Sequence, residues 1–277
     1  MRVPPSLARA HPSAEMPHTV VFDFDLTMVD VNSDTFVPER VCPPVLAFID
    51  AARRETQWTA LMAEAARRMR AAGVTRAQIA AALRVMPCAP ELPAAVRAAR
   101  AAGAALHVVS DANTIYIQEF LQDHGLAPLF DSIVTNPARW ECAEGGGEGA
   151  EPTLVIEPFH ALGRAPHGCA LCPTNLCKGA VLDALGLSRG EGGGGSGDAA
   201  AAGCCVIYCG DGGGDLCPAL RLGSGDLILA REGFPLARRL RERAGTEAAA
   251  RAEVVEWKDG AELAGRILAR LGLPLEP

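Results

Sequence analysis

Short apolar runs recur along the chain, and several end in small polar or acidic residues. Val20-Val21-Phe22-Asp23-Phe24-Asp25-Leu26-Thr27 is the first. It reads as a β-branched strand closing on two aspartates at i and i+2, which alternation sends to one side. Leu106 to Asn113 and Val206 to Asp215 repeat the form, the latter running into a glycine-rich turn with two more acids. Further strands are expected at 131–135, 153–156 and 226–229, with the third run starting at 204. Helices are expected at 114–124, 178–185, 235–243 and 260–271. Such alternation implies a parallel sheet with helices on both faces, and ligands bound beyond the strands' carboxyl ends. Residues 43–101 break the pattern. Helical spacing dominates over 51–72, 75–85 and 92–102, where Trp58, Leu61, Met62 and Met69 read as core packing.

The expected fold is α/β: a doubly wound, Rossmann-like parallel sheet with a small all-helical cap inserted after the first strand. The core comprises 18–42 and 102–277, the cap 43–101, and residues 1–17 a disordered tail. The Gly-rich stretches Glu144 to Ala150 and Gly190 to Gly203 are expected to be flexible loops without function.

Composition narrows the function. With 277 residues and 49% hydrophobic content, the chain can bury a sizeable core. A net charge of −7 disfavours nucleic-acid and anionic-membrane surfaces. No apolar run approaches the roughly 20 residues of a membrane span. Met1 to Pro17 lacks an apolar core, so it reads as a tail or a weak organelle leader rather than a secretory signal. A cytoplasmic location follows as the expectation, with the ten cysteines reduced. His167, Cys169, Cys172 and Cys177 form a metal-like group, but no second CxxC completes it, and zinc is not the adopted reading.

Asp23 and Asp25 raise each other's pKa unless a cation sits between them. They therefore suggest a divalent metal with oxygen ligands, or an acid and a base sharing one reaction. A lone DxD is more often a strand ending in turn residues. Here Ser110, placed to donate to an oxyanion, and Lys178, at a helix start where the dipole disfavours it, arrive in order, followed by Asp211 and Asp215.

These four segments resemble the haloacid dehalogenase-like phosphatase superfamily. The stretches Val29 to Asp34, Ser110 to Thr114, Cys172 to Gly179 and Gly210 to Pro218 are similar to its phosphoethanolamine/phosphocholine phosphatase family, related to pyridoxal phosphate phosphatases. The resemblance spans most of 18–270. It implies a Mg²⁺-dependent phosphatase acting on a small phosphate monoester through an aspartyl-phosphate. Asp23 is then the nucleophile and Asp25 the general acid and base. Ser110 and Lys178 hold the phosphoryl oxygens. The metal is held by Asp23, the main-chain carbonyl of Asp25, and Asp211. Asp215 is either a water-mediated ligand or an orienter of Lys178. One departure is Gly213-Gly214, where relatives tend to carry Ala-Asn. Both acids remain, so activity is expected to survive.

The counterparts of Asp34 and Asp111 face the leaving group and favour a cationic head. Their bland reading is capping, of the catalytic loop and of the next helix. Tyr116 and Trp58 are candidate aromatic contacts. Phosphoethanolamine and phosphocholine are the expected substrates, with pyridoxal phosphate and pyrophosphate as rivals. A zinc-dependent interaction protein without catalysis is the alternative from another class. Oligomeric state stays open.

Overall fold

The computed structural model describes residues 18–142, 150–160, 167–189 and 205–274. The expected tail and most of both Gly-rich loops lie outside these residues. Six strands form one parallel sheet: β1 (Thr19–Phe22), β2 (Ala105–Asn113), β3 (Ser132–Asn136), β6 (Val206–Gly210), β7 (Leu227–Arg231) and β8 (Glu253–Trp257), in the order β3-β2-β1-β6-β7-β8. β1 is central, pairing with β2 on one side and β6 on the other, and all four of its residues are buried. A parallel strand covered on both faces needs this continuous apolar run.

Side-chain alternation divides the interior in two. Val20 and Phe22 join Leu106, Val108, Ile207 and Leu229 in the larger core, while Val21 joins Val109, Tyr208 and Ile228 in the other. The larger core receives α1 (Ser33–Val41), α2 (Pro43–Ala52), α3 (Trp58–Ala71), α4 (Arg76–Arg84), α5 (Glu91–Ala101), α6 (Thr114–Asp123) and α10 (Gly260–Arg270). The smaller receives α7 (Lys178–Ala184), α8 (Leu216–Ala219) and α9 (Pro235–Arg243). Thus helices cover both faces, as the strand–helix alternation requires. Among the described residues no helix is long and apolar enough to cross a membrane.

Four local differences from the sequence reading have physical causes. First, Thr153–Ile156 is not in the main sheet. It is β5, paired antiparallel with β4 (Ala138–Glu141) in a separate hairpin, against which α3 packs. Second, the helix expected over 51–72 is two: α2 stops at Ala52 and α3 starts afresh, Gln57 accepting from Ala60 N at 2.8 Å. Third, α1 was not foreseen. Pro38 inside it masks the helical pattern, but Asn32 caps it by accepting from Thr35 N at 3.2 Å. Fourth, β8 is a half-exposed edge strand with a charge at each end of its Val pair, so it carries little apolar signal.

Candidate active site

β1 ends at Phe22, so Asp23 and Asp25 are not successive inward positions of a strand. They lie in the turn beyond it. Leu26 adopts φ +56°, the only positive φ of a non-glycine among the described residues. That strained conformation is held on three sides: Leu26 N donates to Val31 O at 3.1 Å, Met28 N to Phe24 O at 2.8 Å, and Arg231 Nη1 to Leu26 O at 2.7 Å. The tight turn brings both carboxylates over the carboxyl end of the central strand.

All eight residues singled out in the sequence meet there. Asp23, Asp25, Asp34, Ser110, Asp111, Lys178, Asp211 and Asp215 line one cavity of about 190 Å³, with Trp58 and the Gly212–Gly214 turn. Lys178 Nζ lies 2.6 Å from Asp23 Oδ2 and donates to Asp215 Oδ1 at 2.8 Å. Asp23 Oδ1 accepts from Phe24 N at 2.7 Å. Both Asp215 oxygens are occupied: Oδ1 also accepts from Tyr208 Oη at 2.6 Å, and Oδ2 from Asp211 N at 3.1 Å and Gly212 N at 2.8 Å. Asp215 is therefore anchored as the partner of Lys178. Asp25 Oδ1 accepts from Ser33 N at 2.9 Å, and Thr27 Oγ1 approaches Asp211 Oδ1 at 3.4 Å.

The capping reading of Asp34 and Asp111 fails on geometry. Asn32 caps α1 and Asn113 caps α6, the latter accepting from Tyr116 N at 3.1 Å. Asp34 sits in the first turn of α1 and accepts from Trp58 Nε1 at 2.8 Å, which docks the start of α3 at the cavity. Asp111 accepts from Asn175 Nδ2 at 3.1 Å. Tyr116 is buried and does not line the cavity.

Crowded carboxylates and burial explain the electrostatics. Burial, then Asp215, pushes Asp23 up to about 7 against the opposing pull of Lys178. Burial, then Asp23 and Asp215, pushes Asp211 to about 8. Burial raises Asp34 to about 6, opposed by the Trp58 hydrogen bond. Burial and Asp34 hold Asp25 well above the usual carboxylate range, and burial also raises Asp111. For Lys178, burial works against the ammonium, but Asp215, Asp23 and Asp111 prevail and keep it charged. The site thus combines a carboxylate held by an ammonium, a neighbouring carboxyl whose hold on its proton is strengthened by burial and Asp34, and an excess of negative charge. That combination can form and break an acyl-type ester of phosphate if a cation offsets the excess.

Sequence reasoning missed several supporting residues. Thr27, Asn175 and Tyr208 lie inside the motif segments without a role assigned from sequence; they hold Asp211, Asp111 and Asp215. The cysteine group also differs from its expected membership. His167 is committed elsewhere, with Nε2 donating to Pro173 O at 2.9 Å and Nδ1 accepting from Cys169 N at 3.1 Å. Cys217 takes its place beside Cys169, Cys172 and Cys177. The available signal was its position two residues after Asp215.

Comparison with known proteins identifies the family and the fold. The family described as Putative Phosphatase matches residues 18–271. A thiamine phosphate phosphatase-like protein of Arabidopsis thaliana is 34% identical over 91% of this chain and 94% of its own length. Human phosphoethanolamine/phosphocholine phosphatase is 31% identical over 88% of this chain and 85% of its own. In fold, a substrate-bound phosphoserine phosphatase superposes with a TM-score of 0.53 at 12% identity, covering 91% of this chain and 99% of that one. The chain belongs to the Putative Phosphatase family, on the haloacid dehalogenase-like fold, and is a phosphatase.

Proposed function

We propose that this phosphatase hydrolyses small phosphate monoesters with a cationic head, phosphoethanolamine and phosphocholine foremost, through an aspartyl-phosphate on Asp23. The observation that carries the head-group reading is the charge of the cavity lining. Six carboxyl groups (Asp23, Asp25, Asp34, Asp111, Asp211 and Asp215) face a single ammonium, Lys178. Phosphate is a dianion, so a substrate that brings its own positive charge gains where a neutral alcohol or pyrophosphate does not. A cavity of about 190 Å³ also favours a small leaving group over a pyridoxal ring.

The donor set suits a hard divalent cation. Carboxylate oxygens of Asp23, Asp211 and Asp215 lie within 4.8 Å of one another, a crowding that oxygen-seeking Mg²⁺ relieves. With Asp215 committed to Lys178, Asp23 and Asp211 would hold it, together with the Asp25 main-chain carbonyl implied by the family. Bound Mg²⁺ would supply charge neutralisation for the phosphoryl oxygens.

The chain's own residues account for the remaining steps. Lys178 orients the Asp23 carboxylate and, with Ser110, offers donors to the phosphoryl oxygens. As the bond from Asp23 to phosphorus forms, the bond to the leaving oxygen breaks, and Asp25 passes its proton to that oxygen. Asp25, now ionised, takes a proton from water. The water oxygen then attacks phosphorus and frees Asp23 and inorganic phosphate. The helical insertion, with Trp58 at its inner edge, serves as a cap that limits access and contacts the head group.

The test is phosphate release from a panel containing phosphoethanolamine, phosphocholine, glycerol phosphate, pyridoxal phosphate and pyrophosphate, with and without Mg²⁺. A desolvated charge contact of roughly 1.5–3 kcal/mol predicts at least tenfold higher kcat/KM for phosphoethanolamine than for glycerol phosphate. A higher kcat/KM on pyridoxal phosphate or pyrophosphate would overturn the head-group reading. Full activity without divalent metal would overturn the Mg²⁺ assignment.

A further inference from the structure

Behind the acid cavity, four cysteines converge from two segments. Cys169, Cys172 and Cys177 lead into α7, and Cys217 lies in α8. Their sulfurs all lie within 4.8 Å of one another. Cys217 Sγ is 3.6 Å from Cys169 Sγ and 3.9 Å from Cys177 Sγ, and all four are free of disulfides. A metal–sulfur bond of about 2.3 Å at the centre of a tetrahedron puts its sulfurs about 3.8 Å apart. The observed spacings match that edge, whereas a disulfide requires about 2.05 Å.

Backbone donors also point at two of the sulfurs. Ala180 N donates to Cys177 Sγ at 3.4 Å, and the Gly179 amide donates to Cys172. Space is reserved as well: a Cβ on Gly179 would collide with Cys217 Sγ and Arg221 Nε. Backbone amides aimed at sulfur and a glycine opposite it are the supports that a thiolate metal site needs around its ligands.

We propose that Cys169, Cys172, Cys177 and Cys217 hold a structural Zn²⁺ in a closed four-thiolate site. Four soft thiolates in a tetrahedron select zinc among available divalent ions, and with all positions filled by protein no substrate position remains. Each thiol releases its proton as its sulfur binds, so occupancy falls at low pH. The placement gives the ion a consequence. Cys177 immediately precedes Lys178, and Cys217 follows Asp215 by two residues. Zinc would therefore clamp together the two backbones that carry the 2.8 Å Lys178–Asp215 ion pair. The proposal does not depend on which phosphate ester is hydrolysed.

Metal analysis of the full chain, produced in zinc-supplemented medium and exchanged into Mg²⁺ buffer, tests it. The expected result is one zinc per chain, with four thiols unreactive until a strong chelator is added. Cys172→Ser and Cys217→Ser should lose most of the zinc, while Asp211→Asn in the acid cavity keeps it. Loss of a ligand can itself unfold the chain, so the unmutated protein loaded with Co²⁺ gives an independent readout. It should show the intense visible bands and near-ultraviolet charge transfer of tetrahedral cobalt thiolate. Folded protein with no zinc and four reactive thiols would overturn the proposal. So would stoichiometric iron, a Cys–Cys disulfide, or a Co²⁺ spectrum without thiolate bands.

Discussion

At the scale of single residues, the two aspartates of the first motif have different surroundings and hence separable roles. Asp23 touches Lys178, while Asp25 touches the Ser33 amide and is held well above the usual carboxylate range by burial and Asp34. Asp23→Asn should abolish turnover, measured as phosphate release. Asp25→Asn should retain substrate binding and lose proton donation. In single-turnover phosphoenzyme formation, p-nitrophenyl phosphate, whose leaving group needs little protonation, should suffer less than an alkyl phosphate. Equal losses on both would remove Asp25 from the acid role. Gly214 offers a sharper steric test. A Cβ there would come within 3.0 Å of Asp111 Oδ2, so glycine is what lets this carboxylate lean over the turn. Gly214→Asn should displace Asp111 and shrink the preference for phosphoethanolamine over glycerol phosphate, with p-nitrophenyl phosphate little changed. The eight cavity residues were legible in the sequence because acids, a serine and a lysine in this order follow short apolar runs or open helices, where an ordinary core would not place them. Their anchors were not. Asn175 reaches Asp111 across 64 residues of sequence, and Tyr208 reaches Asp215 from strand β6 over the glycine-rich turn that follows it, contacts that residue type alone does not announce.

At the scale of elements, apolar strands buried on both faces announced themselves, and half-exposed ones did not. β1, β2, β6 and β7 are Val, Ile and Leu runs, whereas β4 and β8 alternate with charges and pair only because a neighbour is already in place. β5 had the right composition but the wrong assigned partner, since periodicity cannot name the strand across the ladder. The helical insertion was visible, but its attachment to the cavity was not. That attachment runs through Trp58, first residue of α3, whose indole N–H meets the buried Asp34. Trp58→Phe keeps the ring and removes the donor. The carboxyl keeps its interaction with the Asn113 side chain and loses one hydrogen bond of about 0.5–1.5 kcal/mol, and urea unfolding should report a loss in that range. The Asp34 carboxyl should also lose the hydrogen bond that now holds its pKa down, and so be protonated to higher pH. A change below about 0.5 kcal/mol would mean that the two groups do not share a bond in solution.

At the scale of the whole molecule, the site is a concentration of like charge that the fold tolerates by retaining protons. Asp23 is pushed to about 7 by burial and Asp215, Asp211 to about 8 by burial, Asp23 and Asp215, and Asp25 is also well raised. For an acid whose folded pKa exceeds its unfolded value, the native state keeps a proton that the unfolded chain has released. Stability then falls as pH rises toward the folded pKa, the reverse of a salt-bridged aspartate. Below about pH 6.5 the opposite trend of His107 and His160, held neutral chiefly by burial, confuses the reading. The informative window is therefore pH 6.5 to 8.5. Protein exchanged into Mg²⁺-free buffer should show a Tm that declines across this window at constant ionic strength, each raised carboxyl contributing at most about 1.4 kcal/mol per pH unit. Mg²⁺ in the proposed site would bind the ionised form, so its stabilising effect should grow with pH and flatten the decline. General repulsion in a chain of net charge −7 would also lower Tm, but added Mg²⁺ would not reverse it selectively, and Asp211→Asn would not remove it. The distinguishing result is a metal-free decline that Asp211→Asn shallows and Mg²⁺ abolishes. A Tm that rises from pH 6.5 to 8.5 without metal would show that these carboxyls are ionised in the folded protein and that the lysine alone balances them.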